Sequence, residues 1–274
     1  MGAHILHVWN TAGVASVVAK FTDREFKTHS TVITRKAADR VGLTTYGTAF
    51  DDGAARFFLR AIAMSGGADV VHVHSLDRVV PWIKRIYGKP VVMHYHGTDI
   101  GGRWAEKRPR WSRADFVAVS TPNLLEGAPT GAAYVPNPID TDIFRPLPGV
   151  REPNSAVSFH YGMDDEAEAA AKALGLSLTW LDRWSIRHEE MPIVLSKYAF
   201  YVDMRKPPAH AVARSVGKAA LEALACGCSV VDWTGEVVRG LPSENQPLSV
   251  AAKWNEVYSA LLRERRARRR SRPA

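Results

Sequence analysis

Short apolar, β-branched runs alternate with stretches of helical spacing along the whole chain, and this alternation constrains the fold most. Ile5-Leu6-His7-Val8-Trp9 leads into the turn Asn10-Thr11-Ala12-Gly13 and a helix through Lys20, and Thr31-Val32-Ile33-Thr34 forms the next run. Residues 54–65 read as a helix, with Phe57, Phe58, Ala61 and Ile62 at helical spacing and Gly66-Gly67 closing it. Further strand-like runs cover 69–74, 90–95, 115–120 and 133–136, with a helical stretch over 79–87. Apolar runs joined by helices predict a parallel sheet covered on both faces.

The stretch 136–153 holds prolines at 136, 138, 146, 148 and 153 and reads as a linker. Beyond it the pattern restarts. Strands are expected over 157–160, 176–181, 199–202 and 229–233, and helices over 164–174, 191–198 and 216–225. The expected architecture is α/β, two facing Rossmann-like doubly wound domains, the second reduced. The domains fall at 1–145 and 146–248, followed by a helix over 249–265 and a disordered basic tail over 266–274.

The chain has 274 residues, 36 Lys+Arg against 28 Asp+Glu, and a formal net charge of +8. Residues 263–274 contain seven Arg and one Glu, which is +6, so the remainder nets +2. With 46% apolar and 23% charged residues, collagen, disorder and disulfide-scaffold classes are excluded. Cys226 and Cys228 sit one residue apart, a poor disulfide framework, and nothing argues for an oxidising compartment. The uncharged first nineteen residues lack a basic n-region, and Asn10, Thr11 and Gly13 interrupt any apolar core of a signal segment. The expectation is a soluble, cytoplasmic protein.

Ligands of open parallel sheets bind beyond the carboxyl ends of the strands. Gly13 stands there, in a turn opening a helix whose N–H groups can meet an anion. His72, His74, His94 and His96 recur with period two at two strand ends. Four imidazoles can hold zinc, but no carboxylate or Cys is spaced to complete the set, so no metal is expected. His96 differs in being followed by Gly97-Thr98-Asp99. The most specific segment runs from Arg214 to Val231. In it Ser215, Val216, Gly217 and Lys218 open a helix, and Arg214, Lys218 and Glu222 fall on one face at i, i+4 and i+8. Two cations near an anion site and a carboxylate one turn deeper suit a nucleotide diphosphate and its ribose hydroxyls. The plainer alternative is a surface Lys218–Glu222 pair worth about 0.2–0.5 kcal/mol.

These residues resemble the retaining glycosyltransferases of the GT-B fold, the group 1 or family-four-like enzymes. The likeness is carried by DVVHVHS ending at Ser75, KPVVMHYHGTDI ending at Ile100, ADFVAVS ending at Ser120, YVPNPIDTDIFRP ending at Pro146 and LEALACGCSVV ending at Val231. It implies metal-independent, hexosyltransferase-like transfer from a nucleotide-sugar donor, with no further cofactor. Residues 1–145 would be the acceptor side and 146–248 the donor side. By resemblance Glu222 holds the donor ribose, His96 contacts the transferred sugar, Ser215 to Lys218 meet the diphosphate, and Gly13 lies against sugar and phosphates. The chain departs from the family at two places. Arg214 replaces a second glutamate, and acidic Met163-Asp164-Asp165-Glu166 follows the first donor-side strand where a Gly-Arg and Lys-Gly phosphate clamp is usual. Either Arg214 and Lys218 supply the missing charge, making Arg214 part of the catalytic set with His96 and Glu222, or the chain is a non-catalytic sugar- or nucleotide-binding relative.

Two basic clusters remain. Arg103, Trp104, Lys107, Arg108 and Trp111 interleave cations with indoles, as in an interfacial anchor or a site for a sugar, lipid-linked or polyanionic acceptor. The alternative is a solvated loop with its Trp rings packed beneath. The terminal Arg cluster can lie on anionic lipid at about 1 kcal/mol per basic residue, which would place the protein peripherally at the inner membrane face. Otherwise it is a solvated end. No nucleic-acid-binding motif accompanies it, so a nucleic-acid partner is not expected.

Overall fold

The structure, a computed structural model, describes residues 2–149, 151–204 and 216–271. The chain forms two units: residues up to Pro138 together with those from Pro247 onward, and residues Ile139–Gln246.

Among the described residues the first unit has seven strands: β1 (His4–Val8), β2 (His29–Arg35), β3 (Thr48–Phe50), β4 (Val70–His74), β5 (Val91–Tyr95), β6 (Phe116–Val119) and β7 (Ala133–Tyr134). They form one parallel sheet in the order β3-β2-β1-β4-β5-β6-β7. The chain builds outward from β1, then returns to its other side at β4, so the topological switch lies between β1 and β4. Helices α1 (Val14–Phe26), α2 (Ala54–Ser65), α3 (Val80–Tyr87) and α4 (Trp104–Trp111) connect the strands.

Alternate residues feed two cores. Leu6, Val8, Val71, Val73, Met93 and Tyr95 pack with Phe57 and Ala61 of α2 and Val80 and Ile83 of α3. Ile5, Val70 and Val92 pack with Val14 and Val18 of α1 and with Val250, Trp254, Tyr258 and Leu261 of a long terminal helix, α8 (Pro247–Arg270). Those four positions form one apolar stripe, which places α8 in the first unit. The helix also takes in residues 266–270, where a disordered tail is expected from sequence. Arg is a good helix former, and here it extends a helix already anchored by packing.

The second unit comprises β8 (Glu152–Phe159), α5 (Asp164–Ala173), β9 (Ser177–Leu181), α6 (Met191–Leu195), β10 (Tyr198–Val202), α7 (Lys218–Ala225), β11 (Ser229–Val231) and β12 (Val237–Arg239). The sheet order is β12-β11-β10-β8-β9, parallel except for the edge strand β12. Val157, Phe159, Tyr201 and Val230 pack on one face against α6 and α7, while Ala156, Val202 and Val231 pack on the other against Ala167 and Ala171 of α5. Ile139 and Phe144, from the stretch read as a linker, are buried in the first of these cores. A turn at Asp140 holds them there, with Phe144 N–H donating to the Asp140 carbonyl at 2.7 Å. Pro153 sits near the start of β8, before the ladder to β9 begins at Ser155, so its missing N–H costs no bond in that ladder.

Both cysteines are free and buried. Burial pushes their thiols up to about 12 for Cys226 and about 11 for Cys228. Among the described residues no helix is long and apolar enough to cross a membrane.

Candidate functional site

In the second unit, β10 delivers Asp203 directly after its last residue, and Asp203 Oδ2 accepts the Gly217 N–H at 2.9 Å. Gly217 is the extended N-cap of α7, so Lys218 becomes the first helical residue. Lys218 and Glu222 are one turn apart, with Nζ donating to Oε1 at 2.5 Å. Their side chains are only 13% and 3% exposed, so this is a buried pair rather than the surface pair considered from sequence. Burial pushes the Glu222 pKa up. The charges of Lys218, His188 and Arg183, with the Lys218 hydrogen bond, outweigh that and hold the carboxyl below its usual range. Glu222 is therefore an ionised hydrogen-bond acceptor in a dry setting.

Val216 is half-buried and Gly217 buried beside this pair, whereas Arg214 and Ser215 lie outside the described residues. The acidic run after β8 starts α5: Asp164, Asp165 and Glu166 occupy its first turn, where they complement the helix dipole, and Asp164 contacts His160 Nδ1 at 2.7 Å. Sequence reasoning missed Asp203, Arg183 and His188. Asp203 carries a usable signal, a carboxylate immediately after an apolar strand. Arg183 and His188 lie between β9 and α6 without a pattern to mark them.

In the first unit the loops at the carboxyl ends of β1, β4 and β5 hold the expected residues. Gly13 is the N-cap of α1 in the left-handed region, φ 76°. The Asn10 carboxamide fixes this turn: its oxygen accepts the Ser16 N–H at 3.2 Å, and its nitrogen donates to Ser16 Oγ at 2.9 Å and Thr44 Oγ1 at 3.1 Å. Trp9, Ala12 and Ser75 take positive φ values of 73°, 51° and 61° at the same strand ends. Thr11 and Ser75 tie the two loops together through their hydroxyls at 2.8 Å. Strained backbone concentrated in this way is typical of ligand-binding loops.

The His96 and Gly97 N–H groups donate to Asp99, at 3.0 Å and 2.7 Å, so the carboxylate near His96 is used in holding the loop. Burial pulls His96 down to about 4, against the opposing effects of Asp99 and a hydrogen bond with Asn137, which leaves a neutral imidazole. His72, His74 and His94 lie on the same sheet face, and the structure adds His7 from β1 to the group.

No protein-family model matches the chain, and no curated protein matches it in sequence. Solved structures do resemble it. AviGT4, a glycosyltransferase involved in avilamycin A biosynthesis, aligns with a TM-score of 0.62 at 16% identity, over 95% of this chain and 98% of that one. An alpha-glucosyltransferase in complex with UDP and a 13-mer DNA containing a central A:G mismatch gives 0.58 at 16% identity, over 96% and 90%. HepE of Anabaena, in complex with UDP, gives 0.53 at 12% identity, over 96% and 92%. The chain has the GT-B fold of these glycosyltransferases.

Within this GT-B chain the Trp-interleaved cluster is a helix, α4, and not a loop. Trp104, Lys107 and Trp111 fall at i, i+3 and i+7 and turn towards the protein. Trp104 is buried, its Nε1–H donating to the Leu124 carbonyl at 3.0 Å, and Trp111 Nε1–H donates to the Trp104 carbonyl at 2.8 Å. Lys107 is buried against Asp77 at 2.7 Å, and Arg110 reaches the same carboxylate at 3.2 Å. Trp104 and Lys107 are thus core and ion-pair residues, withdrawn from the acceptor or membrane contact expected of them. Arg103 pairs with Glu106 at 2.8 Å, and Arg108 stays exposed. The inward spacing was present in the sequence, but the charged residues between the indoles obscured it.

Proposed function

We propose that this protein transfers a sugar from a nucleotide-sugar donor to an acceptor hydroxyl with retention of configuration. The observation that carries the reading is the buried, ionised Glu222 one turn inside a helix that Gly217 and Lys218 open. The GT-B fold supports it, as do neighbours in complex with UDP.

In this reading Glu222 accepts the donor ribose hydroxyls. The first-turn N–H groups of α7 have no intrahelical acceptor and, with Lys218, Arg214, Ser215 and Val216, receive the diphosphate. The diphosphate is neutralised by side chains and a helix end rather than by a metal. Positioned donors of this kind are each worth about 10²–10³ in rate as charge builds on the leaving group. The resemblance assigns the Gly13 turn of the first unit to the sugar and phosphates. His96, neutral at physiological pH, exchanges hydrogen bonds with the transferred sugar. The acceptor oxygen bonds the anomeric carbon on the face that the diphosphate leaves, as the bond from that carbon to the phosphate oxygen breaks and the acceptor's proton passes to the departing diphosphate.

One observation favours a second reading, a non-catalytic nucleotide- or sugar-binding relative. Asp203 already takes the Gly217 N–H and Glu222 already engages Lys218, so two donors expected at a diphosphate have anionic partners. Calorimetric titration with UDP, GDP and ADP and their sugars, run beside a turnover assay, separates the readings. The transferase reading expects one nucleotide to bind, Glu222→Gln to weaken it by about tenfold or more, Arg214→Glu to weaken it as well, and product to form. Binding without product selects the second reading, and no binding by any nucleotide or nucleotide sugar rejects the transferase reading and the nucleotide-binding form of the second.

A further inference from the structure

We infer that the first unit holds a zinc-class divalent cation at His74, His94 and His96. This goes beyond the transferase reading, with which it shares His96, and it replaces the metal-free expectation drawn from the sequence.

Strand pairing builds the cluster. His74 of β4 stands directly across the ladder from His94 of β5, and period two brings His96 back to the same face. One nitrogen from each of the three lies within 4.8 Å of the others. His74 Nδ1 and His96 Nε2 are 3.1 Å apart. Two nitrogens bound to one tetrahedral zinc at about 2.0–2.1 Å stand about 3.3 Å apart, so this pair already has the required spacing.

His94 supplies the decisive observation. Its ring is fully buried, yet neither ring nitrogen has a hydrogen-bond partner among the described residues. Burying a polar atom without a hydrogen-bond partner is costly. A string of hydrogen bonds gives His7, His74 and His96 at least one partner each, with His7 Nδ1 3.1 Å from His74 Nε2, and none of these bonds reaches His94. A cation accepting the His94 lone pair satisfies one of its two nitrogens. The other compact trio, His7, His72 and His74, is less free. There the Tyr258 hydroxyl occupies His72 Nδ1 at 2.7 Å and His74 Nε2 meets His7 Nδ1, so only the Nε2 atoms of His7 and His72 are open, whereas both nitrogens of His94 are.

The chemistry agrees. Three imidazoles without a carboxylate suit zinc, cobalt, nickel or copper rather than magnesium or calcium. His7 orients the His74 ring from behind, as outer partners do for metal-bound histidines. Trp254 of α8, with its ring 5.0 Å from that of His94, covers the buried side. Partly exposed His96 gives the entry path, and a water molecule completes the fourth position.

The test uses the full chain, freed of metal with a chelator and dialysed against Zn²⁺ or Co²⁺. The expected result is a single retained equivalent of Zn²⁺ and the visible absorption of tetrahedral Co²⁺. His94→Gln and His96→Asn should each abolish that absorption and weaken Zn²⁺ binding by more than the ~10–100-fold cost of an outer-partner change. His72→Phe and the surface changes His29→Ala and His160→Ala should leave both intact. Should buried His94→Gln fail to fold, partly exposed His96→Asn decides. Folded wild-type protein that retains neither ion overturns the inference, as does absorption that survives His96→Asn or is lost with His72→Phe.

Discussion

Glu222 keeps its charge in a dry site because Lys218 stands 2.5 Å away. Its folded pKa lies below the ordinary 4.5, so the unfolded chain takes up this proton first as pH falls. The resulting stabilisation is complete above about pH 4.5 and is lost as pH drops through the folded value. Glu222→Gln should remove that part of the acid dependence. It should also cost about 3–5 kcal/mol at pH 7, because Lys218 is left buried without its counter-charge. Urea unfolding at pH 7 and pH 4 measures both effects, and a loss under about 1 kcal/mol at pH 7 would mean that the ammonium escapes to water. Replacing both residues with Met should recover most of the loss, since an apolar pair of similar volume leaves no stranded charge.

At the level of elements, α4 and α8 carry the clearest consequences. Asp77 receives Lys107, Arg110 and the Tyr95 hydroxyl, and so fastens α4 to the first unit. Asp77→Asn strands the buried Lys107 and should cost about 3–5 kcal/mol in a urea titration; a near-neutral result would show that α4 is held by its indoles alone. Trp254 is fully buried between the histidines and Tyr258, so Trp254→Ala should cost about 3–5 kcal/mol. Residues 266, 267, 268 and 270 at the far end of α8 are exposed, and truncation from Arg266 should change stability by no more than about 0.5 kcal/mol. If the arginines of this end meet anionic lipid, the same truncation should weaken vesicle binding by about 1 kcal/mol per arginine removed. Unchanged binding would clear them of that role. Strongly periodic elements were legible: α2 spans the expected 54–65. α4 was hidden because a lysine occupies an inward position and Pro109 lies within the helix. β3 and β12 are three-residue edge strands, too short for any period to show.

For the whole molecule, the alternation of runs sufficed to reveal two doubly wound sheets. Their exact limits were less accessible, because Ile139 and Phe144 are core residues set among turn-forming prolines and aspartates. The helix expected over 249–265 carries no local signal of which core it covers, and packing places it on that of the first unit. Of the candidate site, Lys218 and Glu222 could be read from helical spacing. Asp203, Arg183 and His188 reach the same carboxylate or helix end from loops, which carry no periodic signal. His7 joins the imidazole cluster through the β1–β4 pairing, a long-range contact that the sequence alone does not disclose. The central claim, sugar transfer from a nucleotide donor with retention, is most directly tested by proton NMR of reactions containing UDP, GDP or ADP sugars of known anomeric configuration. Wild-type protein should turn over one donor into a product with the donor's anomeric configuration, and Glu222→Gln should lose that turnover. An inverted product, or no transfer and no hydrolysis with any donor, would contradict it.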